Sequence, residues 1–308
     1  MPSFPTFARS ILLMIKTSMA IQNRTLAARI RDYGVLLKLR LSMLVVLSAV
    51  LAFLIGSQTV DFSRLWILTL GGFLVTGASN GLNQIFEHHT DKIMLRTRMR
   101  PLPDRRMSGK EAWIVSLSAG VAGLLLLFVF INIKSGLLGL FALLSYAFIY
   151  TPLKKATPFS VFVGAFPGAV PTLLGWVAAT NRFSYEGWIL FAIQFMWQFP
   201  HFWAIAWKLY DDYKSAGFEM LPSGGKNHSS AMQTVIYTFT LIPLGLLPYF
   251  SGMSGIISAI IISLAGFLFF MQSVRLLKTC SDEAAKKLMF GSFVYLPVVL
   301  IALVIDKV

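Results

Sequence analysis

The chain predicts an all-α, polytopic membrane protein of about nine transmembrane helices. Three observations carry that prediction. The 308 residues are 56% hydrophobic, with a mean hydropathy of +0.71. Only 13% are charged, against roughly 25% in a soluble domain of ordinary composition. The apolar residues gather in nine continuous runs that do not alternate, most of them near the ~20 residues a helix needs to cross the hydrocarbon core.

Residues 1–30 read as a basic segment lying along the membrane surface. Arg9, the run Ile11 to Ile15 and the triplet Ser18-Met19-Ala20 imitate a secretory leader, but an apolar stretch of five residues is shorter than a secretory core. Residues 31–308 then form one intramembrane domain. Its spans are expected at 39–57, 65–86, 112–131, 136–151, 159–179, 187–207, 231–250, 254–272 and 288–305. The fourth is short, so it is either buried in the bundle or extended by its flanks. Backbone polar groups find no partners in lipid, so such runs are helices or closed barrels, and unbroken apolar runs select helices.

The basic residues set the orientation. With the N-terminus in the cytoplasm, 23 of the 27 Lys and Arg fall on the cytoplasmic side, and four (Arg64, Lys134, Arg182 and Lys307) fall outside. That asymmetry follows the positive-inside rule and requires an odd number of spans, which places the C-terminus outside. It also accounts for the formal charge of +14 without nucleic acid as a partner. The single cysteine, Cys280, forms no internal disulfide and no thiolate metal site, and the four histidines match no zinc spacing.

Two charged clusters interrupt the apolar pattern. The first is Asn83-Gln-Ile-Phe-Glu87-His-His-Thr-Asp91-Lys-Ile-Met-Leu-Arg96-Thr-Arg98-Met-Arg100-Pro101. Asn83, Glu87 and Asp91 are four apart, so they drift only about 40° per step around a helix and share one face over about 12 Å. An amide and two carboxylates in a row suit a hard cation such as magnesium, which takes oxygen ligands and substrate phosphates. The same spacing also occurs on a solvated helix end. Arg96, Arg98 and Arg100 supply the oxyanion partners a diphosphate needs, or alternatively face anionic headgroups.

The second cluster runs from Trp197 to Pro222. Lys208 and Asp212 are four apart and are expected on one face, with Asp211 about 100° away. His201 precedes Asp212 by eleven residues, about 16 Å deeper on a straight helix. It reads either as a histidine bonding a neighbouring carbonyl or as a functional group at membrane depth. Trp197, Phe199, Phe202, Trp203 and Trp207 read as core or interface anchors, with a substrate box as the other reading. Both clusters end spans on the same membrane face, a loose echo between the halves. A magnesium-bridged diphosphate between them, with a hydrocarbon tail in the bundle behind, describes an enzyme using a prenyl diphosphate donor. The metal and the cations would favour an allylic cation, and buried aromatic faces would stabilise it.

From Tyr33 onward the sequence resembles the intramembrane prenyltransferases of the UbiA type, most closely the branch that acts on haem. The resemblance rests on Asn83-x-x-x-Glu87-x-x-x-Asp91, Arg96-Thr97-x-x-Arg100-Pro101-Leu102-Pro103 and Tyr150-Thr151-Pro152-Leu153-Lys154-Lys155. It rests further on Trp197-Gln198-x-Pro200-His201-Phe202-Trp203 and Asp211-Asp212-Tyr213-x-x-Ala216-Gly217-x-x-Met220-Leu221-Pro222. It implies nine helices around a central cavity open to the bilayer. It also implies farnesyl transfer from farnesyl diphosphate to a vinyl group of haem B, with addition of water, giving haem O for haem-copper oxidases. Carried over by position, Asn83, Glu87, Asp91 and Asp212 would hold Mg2+ and diphosphate as the catalytic set. Arg96, Arg100, Lys154 and Lys208 would be oxyanion partners. Tyr213 would join the substrate-binding residues, and His201 would face the haem as an axial ligand or a propionate contact. The implied setting is a bacterial inner membrane, with a haem A synthase or a terminal oxidase downstream.

Glu87 stands where the family commonly has Asp, which lengthens the arm. His89 stands where it commonly has another Asp, which removes a carboxylate, since neutral imidazole is a poor magnesium ligand; the number of magnesium ions held directly is left open. Leu39 replaces a usual proline before the first span. Two other readings stand beside the first: a sister enzyme acting on a quinone precursor or another tetrapyrrole, and a transporter or channel with charged helix ends.

Overall fold

The computed structural model describes residues 25–308. The expected surface segment therefore lies, up to residue 24, outside the described residues. The described residues are mainly helical, with no strand among them. A short helix, α1 (Leu26–Leu36), leads into α2 (Leu39–Gly56), α3 (Phe62–Asp91), α4 (Gly109–Leu125), α5 (Ile133–Leu144) and α6 (Ser160–Thr180). Then come α7 (Tyr185–Lys208), the short α8 (Tyr210–Ser215), α9 (His228–Phe250), α10 (Ile256–Thr279) and α11 (Asp282–Ile305). The described residues contain nine helices long and apolar enough to cross a membrane, and the chain is an integral membrane protein.

Side-chain caps start these helices where the sequence carries polar residues. Asp61, Ser108, Asn132, Asn227 and Ser281 each accept the backbone N–H three residues on, at 2.7–3.2 Å, which satisfies an otherwise orphaned donor. The fourth span is completed by its flanks. After α5 a π-helical turn over Ser145–Tyr150 continues into Thr151–Leu153. A second π turn, Leu126–Ile131, finishes the third span. The helices also outrun the expected boundaries. The second span continues to Asp91, so one helix carries the whole Asn83–Glu87–Asp91 row. The eighth reaches Thr279 and the ninth begins at Asp282.

The spans form two joined halves. Phe53, Leu68, Leu82, Leu127, Leu143 and Leu174 centre a core in the first five spans. Leu190, Trp203, Leu241, Phe269, Leu288 and Leu296 belong to a larger core around the last four. Helix α2 packs against α6 and α11, and α6 against α7, which closes the halves on each other. Contact is close at Gly175, where a Cβ would meet the Ala49 carbonyl oxygen. Small residues at such crossings let backbones approach in lipid. The α10 face bearing Ile257, Ile260, Leu264, Phe267 and Leu268 is exposed, as expected when the solvent is hydrocarbon.

At the rim where the first span ends and the last one finishes, the chain folds back on itself. The Lys307 ammonium donates to the Leu54 and Ser57 carbonyls at 2.9 and 2.6 Å, the orphan acceptors at the end of α2. Next to it, Asp306 accepts the Ser258 N–H at 2.6 Å in the first turn of α10.

Candidate active site at the charged rim

The C-terminal end of α3 is a poor place for carboxylates, because the helix dipole puts partial negative charge there. Cations from three other segments compensate. Asp91, fully buried, pairs with Arg100 at 2.7 Å. Glu87, also buried, pairs with Lys154 at 2.6 Å. Asn83 donates from Nδ2 to Thr151 Oγ1 at 3.1 Å, and its Oδ1 accepts from Lys38 Nζ at 3.4 Å. The Thr151 hydroxyl donates to the Tyr146 carbonyl at 2.8 Å, so it can only accept from Asn83, which fixes which end of the amide faces it.

Local backbone geometry sets each of these positions. Lys38 sits at the break between α1 and α2 in a left-handed conformation, φ 47°, uncommon for a residue with a Cβ. The π turn carries Thr151 and Lys154 toward α3. Arg100 lies in a looped segment pinned by the Thr97 hydroxyl, which donates to the Asp91 carbonyl at 2.9 Å. Arg106 ties the same loop to α1 through Asp32 at 3.5 Å.

The second cluster meets the first through this loop. The Leu95 N–H donates to Asp212 Oδ1 at 2.7 Å. The Arg96 guanidinium lies 5.7 Å over the Tyr213 ring. Lys154 lies 5.0 Å over Tyr150 and 5.5 Å over Phe218. Phe218 is returned to the site by a helix-ending motif. Gly217, at φ 75°, closes α8, with Gly217 N–H on the Lys214 carbonyl and Phe218 N–H on the Tyr213 carbonyl at 3.0 and 2.9 Å.

Two expectations need correction. Lys208 and Asp212 do not share one helix: α7 stops at Lys208 and Leu209 breaks the path at φ −105°, ψ 23°. Leucine is a good helix former, so nothing in the sequence marks the break. The straight-helix depth of His201 consequently holds only as far as Lys208, seven residues on, about 10 Å along the axis. Lys208 itself is exposed at its helix end. His89 is exposed too, its ring 3.8 Å from that of His88.

Lys38 was missed by sequence reasoning. Its signal was positional: a lone lysine before the first span, on the face where the basic connections gather. Burial, then the nearby Arg100 and Lys154, push its pKa down to about 7, partly offset by Glu87 and Asp91. Burial also acts to lower the pKa of Lys154, but attraction and a hydrogen bond from Glu87, with Tyr146 and Tyr213 nearby, leave it raised.

A divalent ion can be tested against these atoms. Asp91 Oδ1 is buried and makes no hydrogen bond among the described residues, a costly state for an ionised oxygen. No three His, Cys, Asp or Glu side chains converge into a ready cage among the described residues. The donors are hard oxygens in an incomplete shell. That fits magnesium, which keeps waters and takes phosphate oxygens rather than all-protein cages.

Among the described residues, nine lipid-length helices carry acids and cations interlocked at one rim, and the family and relatives of the chain make it an intramembrane prenyltransferase. The chain belongs to the UbiA prenyltransferase family, whose model matches residues 42–296. It is 46% identical over 285 residues to the protoheme IX farnesyltransferase of Cytophaga hutchinsonii, covering 92% of this chain and all of that one. It is 47% identical over 286 residues to that of Christiangramia forsetii, covering 91% and 95%. Among solved structures it resembles a UbiA homologue from Archaeoglobus fulgidus bound to GPP and Mg2+, with a TM-score of 0.69 at 16% identity, covering 88% and 99% of the two chains. It also resembles a digeranylgeranylglyceryl phosphate synthase, with a TM-score of 0.76 at 22% identity, covering 91% and 98%.

Proposed function

We propose that this prenyltransferase moves the farnesyl group of farnesyl diphosphate onto a vinyl group of protohaem IX, with addition of water, to give haem O. The observation that carries the diphosphate half is the Leu95–Asp212 hydrogen bond, which joins two carboxylate-bearing helix ends at one rim. The haem half is supported by the name shared by the relatives at 46–47% identity.

Asn83, Glu87, Asp91 and Asp212 would hold magnesium, which would supply neutralising charge to the diphosphate. In the ligand-free chain Arg100 pairs with Asp91 and Lys154 with Glu87, and Asp91 Oδ1 is left without a hydrogen bond among the described residues. When diphosphate arrives the partners exchange: Arg100, Lys154 and Lys38 turn to phosphate oxygens, with Arg96 and Lys208 at the exposed edge, while the acids keep the metal side. The allylic C–O bond then breaks and the diphosphate leaves with the electron pair, its charge met by cations already in place. The ring faces of Tyr150, Tyr213 and Phe218 line the site beside Lys154 and Arg96. The terminal vinyl carbon bonds to the farnesyl carbon. The resulting cation beside the macrocycle takes a water molecule and loses one proton. His201 faces the haem.

The protein resides in a bacterial inner membrane with its N-terminus cytoplasmic and C-terminus outside, and a haem A synthase or terminal oxidase consumes the product. The test is direct. Membranes containing the chain are incubated with haem B, farnesyl diphosphate and magnesium, and the extracted haem is weighed by mass spectrometry. A gain of one farnesyl group plus water is expected. Product from a quinone precursor with no change in haem would overturn the assignment.

A further inference from the structure

His201 lies on α7 against α11, and its hydrogen bonds determine which nitrogen is free. Nδ1 lies 2.8 Å from Ser292 Oγ. The same hydroxyl donates to the Met289 carbonyl at 2.6 Å. A hydroxyl has one hydrogen and a carbonyl can only accept, so the shorter contact, to Met289, assigns the Ser292 proton there. Ser292 therefore offers His201 a lone pair, and the imidazole hydrogen sits on Nδ1. A flipped ring would turn Cδ2 toward the hydroxyl and lose the bond.

The ring is also held in place. Trp197, one turn earlier, stacks on it at 4.4 Å and 20°, and its indole N–H donates to the Ser292 carbonyl at 2.9 Å. Phe202 and Phe293 meet it edge-on at 5.4 and 5.2 Å. Nε2 makes no hydrogen bond among the described residues. On a half-buried ring it is an accessible lone pair, open to an incoming ligand.

The chemistry narrows what it can take. A carboxylate such as a haem propionate needs a donor, and the only hydrogen on this neutral ring is already bound. Magnesium prefers oxygen. Imidazole nitrogen suits iron, and a ligating histidine characteristically donates its other N–H to a neighbouring oxygen, which fixes tautomer and orientation.

We infer that His201 Nε2 ligates the iron of the acceptor haem and that Ser292 is the positioning residue that keeps Nε2 free, an inference that rests on haem being the acceptor. Within α7 the ligand lies about 10 Å below Lys208, so anchoring the iron there sets how high the macrocycle edge rides toward the diphosphate rim.

The full chain in detergent is titrated with haem B and read by absorption and by the iron–histidine vibration of the ferrous complex. The wild type shows histidine-ligated iron. His201→Ala and His201→Gln lose that vibration, and added imidazole restores it. Ser292→Ala still binds haem, but with a shifted vibration and about ten- to hundredfold weaker affinity, the range seen when outer partners of a ligand are removed; Ser292→Thr returns both. A wild type that binds no haem overturns the inference and the haem assignment together. Bound haem whose spectrum is unchanged in both His201 variants overturns the inference alone, and lower affinity with an unchanged spectrum points to a propionate contact instead. An unmoved vibration in Ser292→Ala overturns the positioning role.

Discussion

Asp212 accepts the Leu95 N–H at 2.7 Å across 117 positions of sequence, so the carboxylate of one half is latched to the loop that follows the carboxylates of the other. The bond asks only for an acceptor, whereas metal and phosphate chemistry asks for charge.

Asp212→Asn separates the two. The amide oxygen still accepts from Leu95, so thermal unfolding in detergent should be unchanged. Turnover should fall about 10²–10³-fold, the range for losing one preorganised electrostatic group. Farnesyl transfer and melting temperature, measured on one preparation, check both.

Arg100→Met strands a fully buried carboxylate. Breaking such a pair costs about 3–5 kcal/mol. The double variant Asp91→Asn/Arg100→Met should recover most of that stability and none of the activity. Chemical unfolding and turnover of the three proteins form the cycle.

Glu87→Asp should be tolerated within about tenfold in turnover, because the flexible Lys154 stem can follow a carboxylate one methylene shorter. Glu87→Gln should lose at least as much as Asp212→Asn. Equal activity of both variants would remove Glu87 from the metal set.

Lys38→Met is expected to raise KM for farnesyl diphosphate about tenfold, the scale of one lost charged hydrogen bond, with a smaller change in kcat. Its stability should be little changed, since Lys38 is half-buried and a thioether avoids the desolvation its ammonium meets.

Chelation should abolish turnover, and magnesium should restore it. Magnesium with diphosphate should raise the melting temperature more than either alone, because ligands that bind only the folded chain stabilise it by mass action. Equal shifts from diphosphate with and without the metal would contradict a shared site.

Much of this was legible in the string. Nine apolar runs gave nine spans, since lipid leaves a backbone few alternatives, and fourfold spacing put Asn83, Glu87 and Asp91 on one face of one helix. What escaped depends on departures from regular helix. The left-handed turn at Lys38, the π turn that brings Thr151 and Lys154 to α3 and the break at Leu209 each redirect a side chain, and none has a periodic signature. The tautomer of His201 was invisible for a different reason. It is decided by Ser292, 91 residues away, and only folding makes them neighbours.

The tail-end ammonium of Lys307, plugged into two carbonyls where the first span stops, acts as a rivet. Prising the bundle apart at that rim would part the donor from both acceptors at once. One cation near the end of the ninth span thus fastens it to the end of the first, 250 positions earlier in the sequence.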